Sequence, residues 1–177
     1  RDVLGCAQTG TGKTAAFGLG LLERLDVSQY RIQSLVLCPT RELADQVSKE
    51  IRSLARAVHN VKVLTLCGGT PFGPQAGSLE HGAHIIVGTP GRIEEHLRKG
   101  KLDLQHLTVL VLDEADRMLD MGFSEDVLRI AMSCNLDRQT LLLSATLKKS
   151  GVQRMAREIT REAVTLFRPD LILAPYL

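Results

Sequence analysis

Three groups of residues have the types and spacing to do chemistry. The first is Ala7-Gln8-Thr9-Gly10-Thr11-Gly12-Lys13-Thr14, which follows the apolar pair Val3-Leu4 and opens a run of helix formers, Ala15, Ala16, Phe17, Leu19, Leu21 and Leu22. Strand, glycine-rich loop and helix in that order fit the phosphate-binding pattern G-x-x-x-x-G-K-[ST], with Ala7 in place of the first glycine. Gly10 and Gly12 let the backbone curl so that its N–H groups face phosphate oxygens, and the helix N-terminus behind them adds positive dipole charge at the same place. Lys13 can reach the terminal phosphates, and the Thr14 hydroxyl can join the shell of a magnesium ion. The competing reading is a glycine turn with an incidental lysine.

In the second group, Val109-Leu110-Val111-Leu112 runs directly into Asp113-Glu114-Ala115-Asp116. A buried strand ending in paired carboxylates is how a P-loop enzyme completes its metal site. Asp113, nearest the strand end, is placed to hold magnesium through water, and Glu114 to orient and deprotonate an attacking water. Adjacent carboxylates need a nearby cation to stay charged without mutual cost. A solvated acidic helix cap ahead of Arg117 and Met118 is the alternative. The third group, Ser144-Ala145-Thr146, follows Thr140–Leu143. Its hydroxyls are either a cap or turn or hydrogen-bond partners of Asp116, a choice that spacing alone does not make.

The elements that must position these groups are legible as periodicity. Runs 34–38, 61–66, 84–87, 107–112 and 140–143 are nearly continuous apolar stretches, the pattern of strands buried on both faces by crossover helices. Between Arg41 and Val58, Leu43, Ala44, Val47, Ile51, Leu54, Ala55 and Val58 recur at helical spacing, with Thr40 placed to cap the start after Pro39. The alternation predicts an α/β fold around a mostly parallel sheet with helices on both faces. Ligands of such sheets bind at the carboxyl ends of the strands, and each polar motif here sits just after an apolar run. The 177 residues suit one domain, with 44% apolar and 24% charged side chains. A net charge of +2 gives no global basic field, so nucleic-acid binding would have to come from local placement. Aromatic residues at 3% and no Trp argue against a base-stacking platform. Cys6, Cys38, Cys67 and Cys134 lie far apart and read as small buried hydrophobes in a reducing compartment. The histidines His59, His81, His84, His96 and His106 show no metal spacing.

With these pieces placed, Ala7–Thr14, Pro39-Thr40-Arg41-Glu42-Leu43-Ala44, Gly68-Gly69, Thr89-Pro90-Gly91-Arg92, Asp113–Asp116 and Ser144–Thr146 resemble, in order and spacing, the motifs of DEAD-box RNA helicases. The phrases Leu37–Val47, Leu64–Gln75 and Asp113–Phe123 are similar to the bacterial DbpA type. The resemblance implies a RecA-like P-loop domain over residues 1–167, with residues 168–177 unassigned. It implies that Ala7, Gln8, Thr9, Gly10, Thr11, Gly12, Lys13 and Thr14 bind ATP, and that Thr14 and Asp113 hold Mg2+. It makes Glu114 the catalytic base, aided by Lys13 and Asp113, and makes Asp116, Ser144 and Thr146 the link between hydrolysis and RNA release. It assigns Thr40, Arg41, Gly68, Gly69, Thr89, Gly91 and Arg92 to RNA. Hydroxyls, exposed glycine N–H groups and guanidinium suit phosphate and sugar contacts, which carry no base information.

The same resemblance implies an adenine-reading glutamine motif about a helix before residue 1, a second RecA-like domain with arginine fingers, and a further domain that selects large-subunit ribosomal RNA. Gln75 is not that glutamine. The chain begins with Arg rather than Met and shows no leader-like segment or membrane-length apolar run, so it reads as a cytoplasmic piece of a longer protein, nearly inactive by itself. Two rivals remain: a DNA-directed helicase of a neighbouring family, and a nucleotide-switched RNA clamp whose hydrolysis is dispensable.

Overall fold

The computed structural model describes residues 1–7 and 12–166; Gln8, Thr9, Gly10 and Thr11 of the glycine-rich loop, and the tail 167–177, lie outside the described residues. Seven parallel strands form one sheet in the order β3-β4-β2-β5-β6-β1-β7. They are β1 (Val3–Cys6), β2 (Ser34–Leu37), β3 (Val63–Leu66), β4 (Ile85–Gly88), β5 (Val109–Leu112), β6 (Gln139–Ser144) and β7 (Val164–Leu166). The central strands β2, β4 and β5 are buried at every residue, which explains their unbroken apolar sequences. Register follows, with Leu35 beside Leu110 and Leu112 beside Leu142.

Helices α1 (Lys13–Glu23) and α2 (Arg41–Leu54) cover one face, where Phe17, Leu21, Val47 and Ile51 meet Val36, Val87 and Val111. On the other face lie α3 (Phe72–Glu80), α4 (Pro90–Arg98), α5 (Ala115–Asp120), α6 (Ser124–Met132) and α7 (Ser150–Ile159). There Ile93, Met118, Ile130 and Met155 pack on Leu35, Leu37, Leu110 and Leu112. The alternation of Val109 and Val111 against Leu110 and Leu112 is the two-residue side-chain period of a strand.

Thr40 caps α2: its Oγ1 accepts the Leu43 N–H at 3.2 Å. The helix expected to reach Val58 instead ends at Leu54 and tightens into a 3-10 turn, Ala55–Ala57. The chain must reverse there to enter β3, and Asn60 takes φ 67, a left-handed conformation that Asn tolerates. At the opposite end of the sheet from the motifs, buried Asp2 accepts the Thr140 N–H at 2.8 Å and the Arg161 N–H at 2.6 Å, pinning β1 to β6 and to the turn before β7. Among the described residues no helix is long and apolar enough to cross a membrane.

Candidate functional site

Because every strand is parallel, all the motifs emerge at one edge of the sheet. The ends of β1, β5 and β6 form one pole of that edge. Gly12, at φ 75, stands before α1, a conformation that glycine adopts without a Cβ penalty. The next residue, Lys13, brings its Nζ to 2.7 Å from Asp113 Oδ1, and the two side chains are 9% and 0% exposed. The two form a contact ion pair, yet a three-donor ammonium and a two-oxygen carboxylate buried this deeply keep hydrogen-bonding capacity that the described residues do not fill. Burial pushes the Asp113 carboxyl above its ordinary range; the Lys13 ammonium opposes that, and Glu114 adds to it. Complete burial of Asp113 removes the reading of this segment as a solvated acidic cap.

Glu114 follows with φ 55 and ψ 54, and its side chain makes no capping bond to α5. Left-handed backbone costs a non-glycine residue about 1–2 kcal/mol. Its carboxylate lies 3.0 Å from Arg117 Nη1, with 11% of the side chain exposed. Thr14 is half-buried one residue into α1. A cavity of about 240 Å³ opens between α1 and α2, bordered by Lys13, Thr14, Gln46 and Glu50. Gln46 and Glu50 escaped the sequence reading, and their one signal is an i, i+4 spacing on α2.

The carboxyl end of β6 joins this pole to Asp116. Thr146 Oγ1 donates to Asp116 Oδ2 at 3.0 Å. Ser144 does not share in that contact: it is the last, buried residue of β6, and its Oγ accepts the Thr146 N–H at 3.3 Å. Its carbonyl accepts the Ala7 N–H at 3.1 Å, so one short segment holds both the entry to the loop and the partner of Asp116.

The donor set suits a polyphosphate with a divalent cation. A buried ammonium and a buried carboxylate with unfilled hydrogen-bonding capacity would otherwise be costly, and phosphate oxygens and a hydrated cation supply the missing partners. Magnesium in phosphoryl-transfer sites takes one or two carboxylates and completes its shell with phosphates and water. That fits the single carboxylate Asp113, and among the described residues no group of three or more His, Cys, Asp or Glu could hold a metal by itself.

The ends of the neighbouring strands β2, β3 and β4 form the second pole. Thr40 and Arg41 open α2, and Gly68 and Gly69 follow β3. Thr89, Pro90, Gly91 and Arg92 open α4, with Pro90 in the first turn. Gly69 has φ 80, and a Cβ on it would overlap Arg41 Nη1, so the arginine lies directly on the glycine backbone. Gly68 is under no such steric demand. Arg92 Nη1 donates to Thr70 O at 2.9 Å and to Gln75 Oε1 at 3.1 Å, and its Nε pairs with Glu95 at 3.0 Å. Thr89 is buried and its side chain does not cap α4. The structure thus gathers Lys13, Asp113, Glu114, Asp116 and Thr146 at one pole and Thr40, Arg41, Gly69, Thr89, Gly91 and Arg92 at the other.

The family model described as DEAD/DEAH box helicase matches residues 1–155. The ATP-dependent RNA helicase DbpA of Escherichia coli K12 is 62% identical over 149 residues, which are 82% of this chain and 32% of that protein. The ATP-dependent RNA helicase DeaD of the same organism is 49% identical over 162 residues, 92% of this chain and 26% of that protein. The chain therefore spans about a third or less of the length of these relatives. Among solved structures, a DEAD box protein from the hyperthermophile Methanococcus jannaschii superposes with a TM-score of 0.87 at 40% identity, over 93% of this chain and 44% of that one. Saccharomyces cerevisiae Dbp5 bound to Gle1 gives a TM-score of 0.84 at 33% identity, over 96% of this chain and 42% of that one.

Proposed function

The chain belongs to the DEAD/DEAH box helicase family, and from that premise we propose that it is the ATP-binding lobe of an ATP-dependent RNA helicase. The observation that carries this reading is the convergence of Lys13 and Asp113 to 2.7 Å in a buried pole. The domain is RecA-like, and we assign it residues 1–167.

Each residue then has a task. Lys13 and the N-terminus of α1 bind the negative charge of the terminal phosphates, and Thr14 and Asp113 hold Mg2+. The ion, when bound, neutralises charge developing on the phosphoryl oxygens. Glu114 orients the attacking water and takes its proton, and Arg117 steadies that carboxylate. Thr146 and Asp116 tie the far side of the site to the end of β6, so a change at the nucleotide alters the strand that also holds Ala7. At the second pole Arg41, Arg92 and the adjacent hydroxyls and amides grip the phosphate and sugar of single-stranded RNA without reading bases.

A second RecA-like lobe closing over nucleotide and RNA would supply arginine fingers, bend the bound strand and disrupt local pairing. The likeness to the DbpA type extends the proposal to ribosome assembly, with large-subunit ribosomal RNA chosen by a domain outside this lobe and action in the cytoplasm. The test is Glu114→Gln in a protein carrying both lobes. Hydrolysis is expected to fall by about 10²–10⁴ with nucleotide binding retained. Multiple-turnover duplex remodelling by that variant would show that the protein is a nucleotide-switched clamp instead. Stimulation of hydrolysis by single-stranded DNA equal to that by RNA would favour a DNA-directed enzyme.

A further inference from the structure

Gln75 lies in α3 and is not among the residues assigned above to ATP, Mg2+ or RNA, yet its side chain joins the two segments proposed to face RNA. Its Nε2 donates to Cys67 O at 3.0 Å and to Thr70 Oγ1 at 2.8 Å. Its Oε1 accepts from Arg92 Nη1 at 3.1 Å and from His96 Nε2 at 2.8 Å. Two donors and two acceptor positions exhaust the capacity of a primary amide. The ring closes through Arg92 Nη1 to Thr70 O at 2.9 Å and Thr70 Oγ1 to Cys67 O at 3.2 Å.

The orientation of the amide is determined chemically. A guanidinium only donates, so Oε1 must face Arg92. His96 must then carry its proton on Nε2 to donate to the same oxygen. The His96 ring is buried and stacks on Phe72 with centroids 4.2 Å apart, which locks α3 to α4. The Lys99 ammonium lies 4.4 Å from the Phe72 ring centroid and Arg92 lies 5.9 Å from it, so the aromatic pair sits within the basic start and end of α4. Arg92 is consequently held at Nε by Glu95 and at Nη1 by Gln75 and Thr70, with its side chain only 13% exposed. A guanidinium fixed before binding loses less side-chain entropy when it meets a phosphate.

We infer that Gln75 is the positioning residue of the RNA face, fixing Arg92 against the Gly68–Thr70 loop so that the ends of β3 and β4 engage one RNA backbone as a unit. The inference rests on the proposed assignment of that face to RNA. It requires that loss of Gln75 act through Arg92 and leave the nucleotide pole alone.

The test is titration of the 177-residue chain with a single-stranded decauridylate across a salt series, with ADP·Mg2+ affinity measured in parallel. Arg92→Ala is expected to weaken RNA binding about tenfold and to make the slope of log K against log salt shallower by about 0.7, one single-strand phosphate contact. Gln75→Met should reproduce most of both changes, and the Gln75→Met/Arg92→Ala double variant should be within twofold of Arg92→Ala. ADP·Mg2+ affinity should stay within twofold throughout. Should the methionine variant not fold, Gln75→Glu, which loses both donors to the Cys67–Thr70 loop, decides: it should weaken RNA binding in the parent and add nothing to Arg92→Ala, and unchanged RNA binding overturns the role of Gln75. If Arg92→Ala has no effect on RNA, the assignment of the face fails. If Arg92→Ala weakens binding but Gln75→Met does not, or their effects add, the face stands and the role of Gln75 falls.

Discussion

Asp113 carries an electrostatic cost, a buried carboxyl raised above its ordinary range by desolvation and relieved by Lys13. A carboxyl with a raised folded-state pKa stabilises the fold below its unfolded value, and that contribution is lost as pH rises through the folded value. Lys13→Ala removes the relief, so its penalty should approach about 3 kcal/mol at pH 8 and shrink at pH 4, as Asp113 takes up its proton on acidification. Denaturant unfolding at the two pH values measures this, and equal losses would show the pair to be uncoupled. His96 runs the opposite way. Burial, reinforced by Arg92, pushes it down to about 4 against a weaker pull from Glu95. Stability held by the neutral ring is complete above about 6.5 and is lost as pH falls toward 4. A His96→Phe variant should therefore lose less stability than the parent between pH 7 and 4.5. Burial also raises the thiols of Cys38, Cys67 and Cys134, the last to about 11. A thiol reagent at pH 8 should modify half-buried Cys6 first and the other three only on unfolding.

At the scale of elements, the two poles depend on how helices begin. Thr40 caps α2 and belongs to the face proposed for RNA. Thr40→Ala should cost about 1 kcal/mol of stability, and Thr40→Ser should restore most of it; thermal melts of the three proteins check this. Gly69 shows a different dependence, because its backbone is left-handed and its missing Cβ is the space that Arg41 occupies. Gly69→Ala should cost about 1 kcal/mol in the fold and displace the Arg41 guanidinium, weakening RNA binding more than stability. Parallel measurements of RNA affinity and melting would separate the two effects. Glu114 is the counterpart at the pole proposed for nucleotide, a strained residue between β5 and α5 of the kind that persists where function demands it.

At the scale of the molecule, the poles proposed for nucleotide and RNA share one edge of a single sheet, and a net charge of +2 leaves the recognition of phosphate to local groups. An arginine finger is worth about 10³–10⁵ in rate for P-loop enzymes. RNA-stimulated ATP turnover by the 177-residue chain should accordingly lie at least about 10³-fold below that of a protein with both lobes. Comparable turnover in a steady-state assay would contradict the division of labour proposed here. By itself the sequence determined whatever is local along the chain. Strands β1 to β6, the cap at Thr40, and the placement of each motif after an apolar run all follow from periodicity and residue chemistry within a few positions. Only the tertiary structure decided which strand ends are neighbours, since a run buried on both faces carries no mark of its place in the sheet. The meeting of Lys13 with Asp113, the turning of Ser144 toward Thr146 rather than Asp116, and the junction of Gln75, Arg92 and His96 all arise from strand order and helix packing. No spacing rule reports such contacts, because each joins elements whose separation along the chain is unrelated to their distance in space.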